Sequence, residues 1–322
     1  MFSSRKLLLV FLGTPYFVFG MHSGETEVII SFDVNKTIIA SDLVQGKNIE
    51  QTVNAILAEF TYADWDGSGK VQSYYAFLTE RLAAEHQTIS QVSETFKAMR
   101  TEQLKEFPAY LTNHPNTQLR ADYDHDKQCM MDILAGKELT LFPSFLKAVK
   151  WLSEKHPGRY TLYLRTFGDD LPKIMPLIEK ETSITFAGTG EFKDGRLFLS
   201  DQRAVSPAFL LQAYHRHYGI RDDYQSWKKT GFKAHGGKPF FIDRDNTTTV
   251  YLFFDDNADD RKKPIVCPVD AHGTVQDTDE LLASGHIVAV NPKAAILDGN
   301  YFIHKIEQVL AAHQVTETPL RK

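Results

Sequence analysis

The sequence has few cysteines, no excess of positive charge and few long apolar runs, and each absence excludes a class of protein. Cys129 and Cys267 are too few and too far apart for a zinc site or a disulfide framework, so we expect buried thiols, with one bridge left open in an oxidising compartment. The net charge of -5 argues against nucleic acid or an anionic membrane as a partner. Internal repeats, low-complexity tracts and nucleotide-binding glycine loops are also missing.

The chain nevertheless has enough apolar residues for a large folded core. Its 322 residues are 43% hydrophobic and 12% aromatic. This composition favours one large domain or two, and it argues against disorder.

The first residues predict an export signal. Arg5 and Lys6 precede the apolar run from Leu7 to Gly20, which is short for a bilayer span but has the length of a signal-peptide core. We therefore predict a signal peptide at residues 1–24 and a secreted or periplasmic protein. An N-terminal extension of a cytoplasmic protein is the alternative. No other segment reaches membrane-spanning length, so no membrane contact is expected for the mature form.

An apolar, β-branched run from Val28 to Phe32 ends on a single acid, Asp33. The chain then passes Asn35 and Thr37, whose short polar side chains suit a tight turn, before apolar residues resume. In an open α/β sheet the ligand crevice lies at the carboxyl ends of the strands. The pattern predicts a buried strand that presents Asp33 at such a crevice.

A second buried-strand pattern, from Thr249 to Phe254, delivers Asp255 and Asp256 at its end. Consecutive carboxylates at a strand end repel each other unless a cation or a basic side chain lies between them. Asp259 and Asp260 follow closely, and a solvated acidic turn suits them better than it suits the first pair.

These two segments resemble the first and fourth motifs of the haloacid dehalogenase superfamily, a strand followed by Asp-x-Asp-x-Thr and a later acidic strand end. The resemblance covers about Val28 to Leu310 and implies an α/β fold with a Rossmann-like parallel sheet. It implies a bound Mg²⁺ and a small phosphorylated substrate or phosphate. The implied roles are nucleophile and metal ligand for Asp33, metal contact and proton transfer at the position of Asn35, phosphate binding by Thr37, Thr166 and Lys238, and further metal ligation by Asp255 and Asp256.

Two of these positions rest on chain order alone. Thr166 ends the strand that begins at Tyr160, where the family has a Ser or Thr that binds the phosphoryl group. Lys238 follows two glycines and precedes a strand, as the family's lysine does. The alternatives are an ordinary strand-end threonine and one of three neighbouring lysines, Lys228, Lys229 and Lys233.

Asn35 departs from the pattern, because most phosphatases of the family have a second Asp there. An amide cannot transfer the proton at pH 7, a task worth about 10² to 10⁴ in rate. We therefore expect a slow Mg²⁺-dependent phosphatase of small phosphoesters that acts through an aspartyl-phosphate on Asp33. The alternatives are a catalytically retired protein that binds phosphate or a partner, and a carbon-halogen hydrolase that needs no metal.

Helical periodicity dominates the segment between the two strands. Apolar residues such as Ile49, Val53 and Ile56 recur at the spacing of one helix face. In the resembled family such an insertion is often a cap over the site, and a plain helical layer is the alternative. The predicted divisions are an α/β core at 25–44 and 141–312, a helical cap at 45–140 and a polar tail at 313–322.

Two local patterns predict further elements. Asp64, Asp66 and Ser68 match the start of a calcium loop, but the closing glutamate is replaced by Tyr75, so we interpret the segment as a helix-to-helix loop, with weak calcium binding as the alternative. The pair at residues 206–207 predicts a helix that runs through His217.

Overall fold

The chain contains both helices and strands in a computed structural model, which describes residues 26–40, 48–91, 93–134, 139–206, 208–212 and 215–317. The predicted signal peptide at 1–24 and residues 318–322 of the predicted polar tail lie outside the described residues. Among the described residues, no helix is long and apolar enough to cross a membrane.

The elements have the following bounds. The strands are β1 (Glu27–Asp33), β2 (Tyr62–Asp64), β3 (Val71–Ser73), β4 (Tyr160–Thr166), β5 (Phe186–Lys193), β6 (Arg196–Leu199), β7 (Ala204–Val205), β8 (His217–Arg221), β9 (Lys238–Phe241), β10 (Thr249–Asp255), β11 (Val266–Val269) and β12 (Ile287–Ala289). The helices are α1 (Ile49–Phe60), α2 (Tyr74–Glu85), α3 (Glu94–Gln103), α4 (Phe107–Thr112), α5 (Thr117–Leu134), α6 (Pro143–Lys155), α7 (Leu171–Glu181), α8 (Phe209–Gln212), α9 (Tyr224–Lys229), α10 (Thr278–Ala283), α11 (Pro292–Leu297) and α12 (Tyr301–Glu317).

An eight-stranded sheet has the order β12-β10-β1-β4-β8-β5-β6-β7. The strands from β12 to β5 pair in parallel, and β6 and β7 extend one edge in antiparallel fashion. The α/β class and the mostly parallel sheet are therefore confirmed, and they agree with a Rossmann-like arrangement. A separate parallel pair, β9 with β11, lies outside this sheet.

The central strands are buried on both faces, which explains their nearly continuous apolar sequences. On one face, the rings of Phe32 and Phe254 stack with their centroids 4.8 Å apart, and Phe145 of α6 packs edge-on against Phe32. Ile29 and Tyr163 contribute to a second core on the other face. Because successive side chains alternate between faces, both cores form from the same strands.

Helices α1 to α5 follow β1, in the segment where the sequence predicts a helical insertion. Asn48 forms a capping box with Gln51 at the start of α1, so that helix begins where the periodicity begins. Val53 and Phe107 of this segment belong to the same apolar cluster as Phe32 of the sheet. The insertion thus shares a core with one face of the sheet, and a role as a lid over the site stays a prediction.

One local prediction is confirmed in outline and another is wrong. The segment around Asp64 and Asp66 does connect helix α1 to helix α2, and it contains a short antiparallel hairpin, β2 with β3, whose tip donates hydrogen bonds to these two acids. The helix predicted to run through His217 ends its described part at Gln212, and His217 instead begins β8, between β4 and β5. Strand pairing overrides the helical spacing there, since β8 pairs with β4 on one side and with β5 on the other.

Candidate functional site

The acidic strand ends lie side by side. β1 pairs with β10 so that Phe32 is opposite Phe254, which places Asp33 and Asp255 at the same edge of the sheet. The chain continues from β1 to β4 on one side and adds β10 on the other side. Ligand crevices form where the strand order reverses in this way, at the carboxyl ends of the strands.

Three acids form what we call the acid cluster: Asp33, Asp255 and Asp256. Each offers a carboxylate oxygen, and the three oxygens lie within 4.8 Å of one another. Asp33 and Asp255 are buried, and Asp256 is half-buried. An all-oxygen donor set of this kind fits a divalent cation such as Mg²⁺ or Ca²⁺, so the cluster has the composition to hold a metal ion. No other group of three such ligands occurs in the part of the chain that the structure describes.

Lys238 lies between two members of the acid cluster. Its Nζ donates to Oδ1 of Asp33 and, at 2.7 Å, to Oδ2 of Asp255, and only 1% of the residue is exposed. Burial by itself lowers the pKa of the lysine, but the two carboxylates outweigh burial and leave the pKa raised, so the amine stays charged. The preceding Gly237 is required, because a Cβ there would clash with the backbone carbonyl of Ile265.

Burial acts on the acids in the opposite direction. It raises the pKa of Asp33 to about 7, against the attraction of Lys238 and with the help of the nearby Asp255. Burial also raises the pKa of Asp256 well above its usual value, with Lys36 opposing the shift. Crowding and burial thus disfavour the ionised carboxylates. A cation bound between them would favour the ionised form and lower these pKa values.

The turn after Asp33 ties the two acidic loops together. The hydroxyl of Thr37 donates to Oδ2 of Asp33 at 3.3 Å and accepts from the backbone N–H of Asp256 at 3.1 Å. Lys36 has a φ of 57°, which is unusual for a residue with a side chain, and its Nζ lies 2.8 Å from Oε1 of Glu59 on α1. The turn is thus bonded both to the acids and to the first helix of the insertion.

Asn35 and Thr166 meet at Asp170, an acid that sequence reasoning missed. Nδ2 of Asn35 and the hydroxyl of Thr166 both donate to Oδ2 of Asp170, at 3.0 and 3.2 Å. Oδ1 of Asn35 is buried and has no hydrogen-bond partner in the described structure. An unsatisfied buried acceptor of this kind costs about 1–3 kcal/mol. Nothing in the sequence distinguishes Asp170 from an ordinary helix cap before Leu171.

A buried ion pair between Arg165 and Asp222 lies at the end of the neighbouring strand, β4, and it was not predicted from the sequence. Arg165 on β4 holds both carboxylate oxygens of Asp222, at 3.1 and 2.5 Å, and its third contact is the carbonyl of Pro239 at 2.9 Å. Both residues of the pair are almost fully buried. The pair therefore connects β4, the end of β8 and the residue after Lys238. A charged residue inside an apolar strand was the sequence signal that could have found it.

The predicted site residues therefore fall into two adjoining groups. The first group is the acid cluster with the residues bonded to it: Asp33, Thr37, Lys238, Asp255 and Asp256. Of the four candidate lysines, Lys238 is the one that bonds to the acids in the described structure. The other group is Asn35 and Thr166, which meet at Asp170. Asp260 instead accepts hydrogen bonds from two backbone N–H groups in its own turn.

In comparisons with known proteins, no family model and no curated protein matches the chain. The resemblance to the haloacid dehalogenase superfamily therefore rests on the ordered motifs and on their residues alone.

Proposed function

We propose that the protein is a Mg²⁺-dependent hydrolase of small phosphoesters that acts slowly through an aspartyl-phosphate on Asp33. One observation carries the proposal: three carboxylates and one buried lysine converge at the carboxyl ends of neighbouring parallel strands. Lys238 bonds two of the three acids, Asp33 and Asp255, so a bound divalent cation would balance the negative charge that remains when all three ionise.

The metal would be held by the side chains of Asp33, Asp255 and Asp256, with the backbone carbonyl of Asn35 as a further ligand. Carboxylate and carbonyl oxygens are the donors that Mg²⁺ prefers. A bound Mg²⁺ would offset the negative charge of the phosphoryl oxygens.

The protein's own groups account for the remaining steps. Asp33 attacks the phosphorus atom in line, so that a bond to its carboxylate oxygen forms while the bond to the leaving oxygen breaks. Lys238 provides fixed positive charge beside the reacting carboxylate, where low polarity strengthens the interaction. Water then cleaves the acyl phosphate and regenerates Asp33. Asn35 cannot supply the proton for the leaving group, and turnover is expected to be slow for that reason.

Turnover of an aryl phosphate tests the proposal. Wild-type protein should show slow release that chelation of the metal abolishes, and Asp33→Asn should lower the rate by about 100-fold or more. Asp260→Asn is the matched control, because it removes a carboxylate from the same loop but outside the acid cluster, and it should leave the rate unchanged. Turnover that does not depend on Asp33 would reject the proposal.

A second function, binding of phosphate without turnover, is favoured by one specific observation. The residue in the proton-transfer position is an amide, and its N–H group is already bonded to Asp170. Tight binding of Mg²⁺ and beryllium fluoride by a protein that does not turn over an aryl phosphate would select this alternative. Carbon-halogen hydrolysis has less support, because that reaction needs no metal and therefore gives no reason for the acid cluster.

A further inference from the structure

Asn35, Thr166 and Asp170 form a second polar group beside the acid cluster, which we call the acceptor cluster. Thr166 has one hydroxyl hydrogen, and it points to Asp170, while the backbone N–H of Gly168 donates to the same hydroxyl at 2.9 Å. In this arrangement the hydroxyl has no hydrogen left for a phosphoryl oxygen. It can only accept.

The orientation of the Asn35 amide follows from the same contacts. Nδ2 faces the carboxylate of Asp170 at 3.0 Å, and the reversed amide would place two acceptor oxygens against each other. Oδ1 therefore points away from Asp170, and it is the buried oxygen without a donor among the described residues. The carboxylate also polarises the amide, which makes Oδ1 a stronger acceptor.

Asp170 is committed to this cluster at the expense of its own helix. It occupies the cap position before α7, where an aspartate usually accepts a backbone N–H of the first turn. Here the side chain makes no cap hydrogen bond. The carboxylate therefore bonds two site residues, Asn35 and Thr166, instead of the first turn of its own helix.

We infer that the acceptor cluster selects a phosphoryl ligand that carries its own proton. The inference rests on the proposed function and names the form of its substrate: a phosphomonoester monoanion, or hydrogenphosphate, whose P–OH group donates to Oδ1 of Asn35 after a small shift of that side chain. A tetrahedral anion without a proton offers only acceptors to a cluster of acceptors, and it is rejected because those groups stay unpaired.

The selected proton also replaces the one that Asn35 cannot supply. The carboxylate of Asp33 forms its bond to phosphorus, the bond from phosphorus to the leaving oxygen breaks, and the proton of the phosphoryl group passes to that oxygen. A monoanionic ester and a carboxylate thus give a neutral alcohol and a doubly charged acyl phosphate, so charge and atoms balance.

Phosphate and sulfate separate the possibilities, because both are tetrahedral oxyanions but only phosphate keeps a proton at about pH 7. Titration calorimetry with each anion, in the presence of Mg²⁺, should show that wild-type protein binds phosphate at least about tenfold more tightly. Asp170→Asn and Asn35→Leu should each reduce that ratio to within about threefold of one. Asp169→Asn makes the same change at the exposed neighbouring position and should preserve the ratio.

The wild-type measurement alone can overturn the inference. Equal binding of the two anions rejects it, as does the absence of binding, or a ratio that neither substitution in the cluster changes. The outcome is separate from that of the proposed function: equal binding with turnover that depends on Asp33 leaves the function standing and rejects the selection. Preference for phosphate without turnover supports the selection and rejects the hydrolase.

Discussion

Asn35 donates its side-chain amide to Asp170 at 3.0 Å, across 135 positions of sequence. The residue that replaces the usual acid of the resembled family is therefore paired with an acid from the next strand's loop. Thr166 donates to the same carboxylate oxygen. A substitution of Asn35 therefore changes the contacts of Asp170 as well as the loop after Asp33.

Asn35→Asp is expected to raise phosphatase turnover. The new carboxyl group would lie about 3 Å from Asp170, and two carboxyl groups at that distance share a proton, which can then be passed to the leaving oxygen. We expect a gain of about 10-fold or more for an alkyl phosphate and a smaller gain for an aryl phosphate, whose leaving group needs the proton less. Steady-state rates for both esters measure this.

Asn35→Ala is the control for that experiment, because it removes the amide without adding an acid, and it should not raise either rate. Equal or lower turnover of the alkyl ester by Asn35→Asp would show that this position has no part in proton transfer.

Stability should fall as the pH rises through the range in which Asp33 ionises. Burial raises the pKa of this carboxyl to about 7 in the folded state, above about 3.9 in the unfolded chain. Its contribution to stability is thus fully present below about pH 4 and is lost as the pH approaches 7, a change on the order of a few kcal/mol. Asp33→Asn should match wild type near pH 4 and be more stable near pH 8 in urea unfolding.

The difference between these two proteins isolates Asp33 from the other groups that titrate over the same range. Asp260→Asn serves as the comparison, because it changes a carboxylate of the neighbouring turn that lies outside the acid cluster, and it should not become more stable than wild type near pH 8. A gap between wild type and Asp33→Asn that does not widen as the pH increases would contradict the raised pKa.

Mg²⁺ should stabilise the folded protein through the acid cluster. An ion that binds only the folded state at roughly 100 times its Kd contributes about 2.7 kcal/mol, or about 5 °C in the melting temperature of a chain of this size. Asp255→Asn and Asp256→Asn should each remove most of that shift, whereas Asp260→Asn should keep it. Thermal melts with and without a chelator provide the measurement, and an equal shift in all four proteins would place the metal elsewhere.

Arg165→Met should destabilise the protein strongly, because it leaves the carboxylate of Asp222 buried without its partner. Removal of one partner from a buried pair costs about 3–5 kcal/mol, whereas replacement of both is often nearly neutral. The double variant Arg165→Met/Asp222→Leu should therefore recover most of the loss in urea unfolding. Arg221→Met, at an exposed neighbouring ion pair, should cost at most about 1 kcal/mol. If Arg165→Met lowers the free energy of unfolding no more than Arg221→Met does, the buried ion pair does not stabilise the fold.

The main elements were predictable because their signals are local. The apolar runs that end at Asp33 and Asp255 became β1 and β10, and the helix periodicity from Ile49 to Phe60 became α1 with those bounds. A strand buried on both faces is visible in the sequence as a continuous apolar run, and a helix with one apolar face is visible as a period of 3.6 residues. His217 shows where local signals fail. The sequence around it predicts a helix, but the residue begins β8, whose partner strands are distant in sequence.

By itself, the sequence determined which strands carry acids at their ends and that the acid at the end of the first strand is followed two positions later by an amide, Asn35. Only the tertiary structure decided that Lys238 bridges Asp33 and Asp255, and that Asp170 binds Asn35 and Thr166. The reason is physical: a strand end follows from the pattern of its neighbours, whereas a hydrogen bond between side chains from different loops depends on sheet order and register, which long-range pairing fixes.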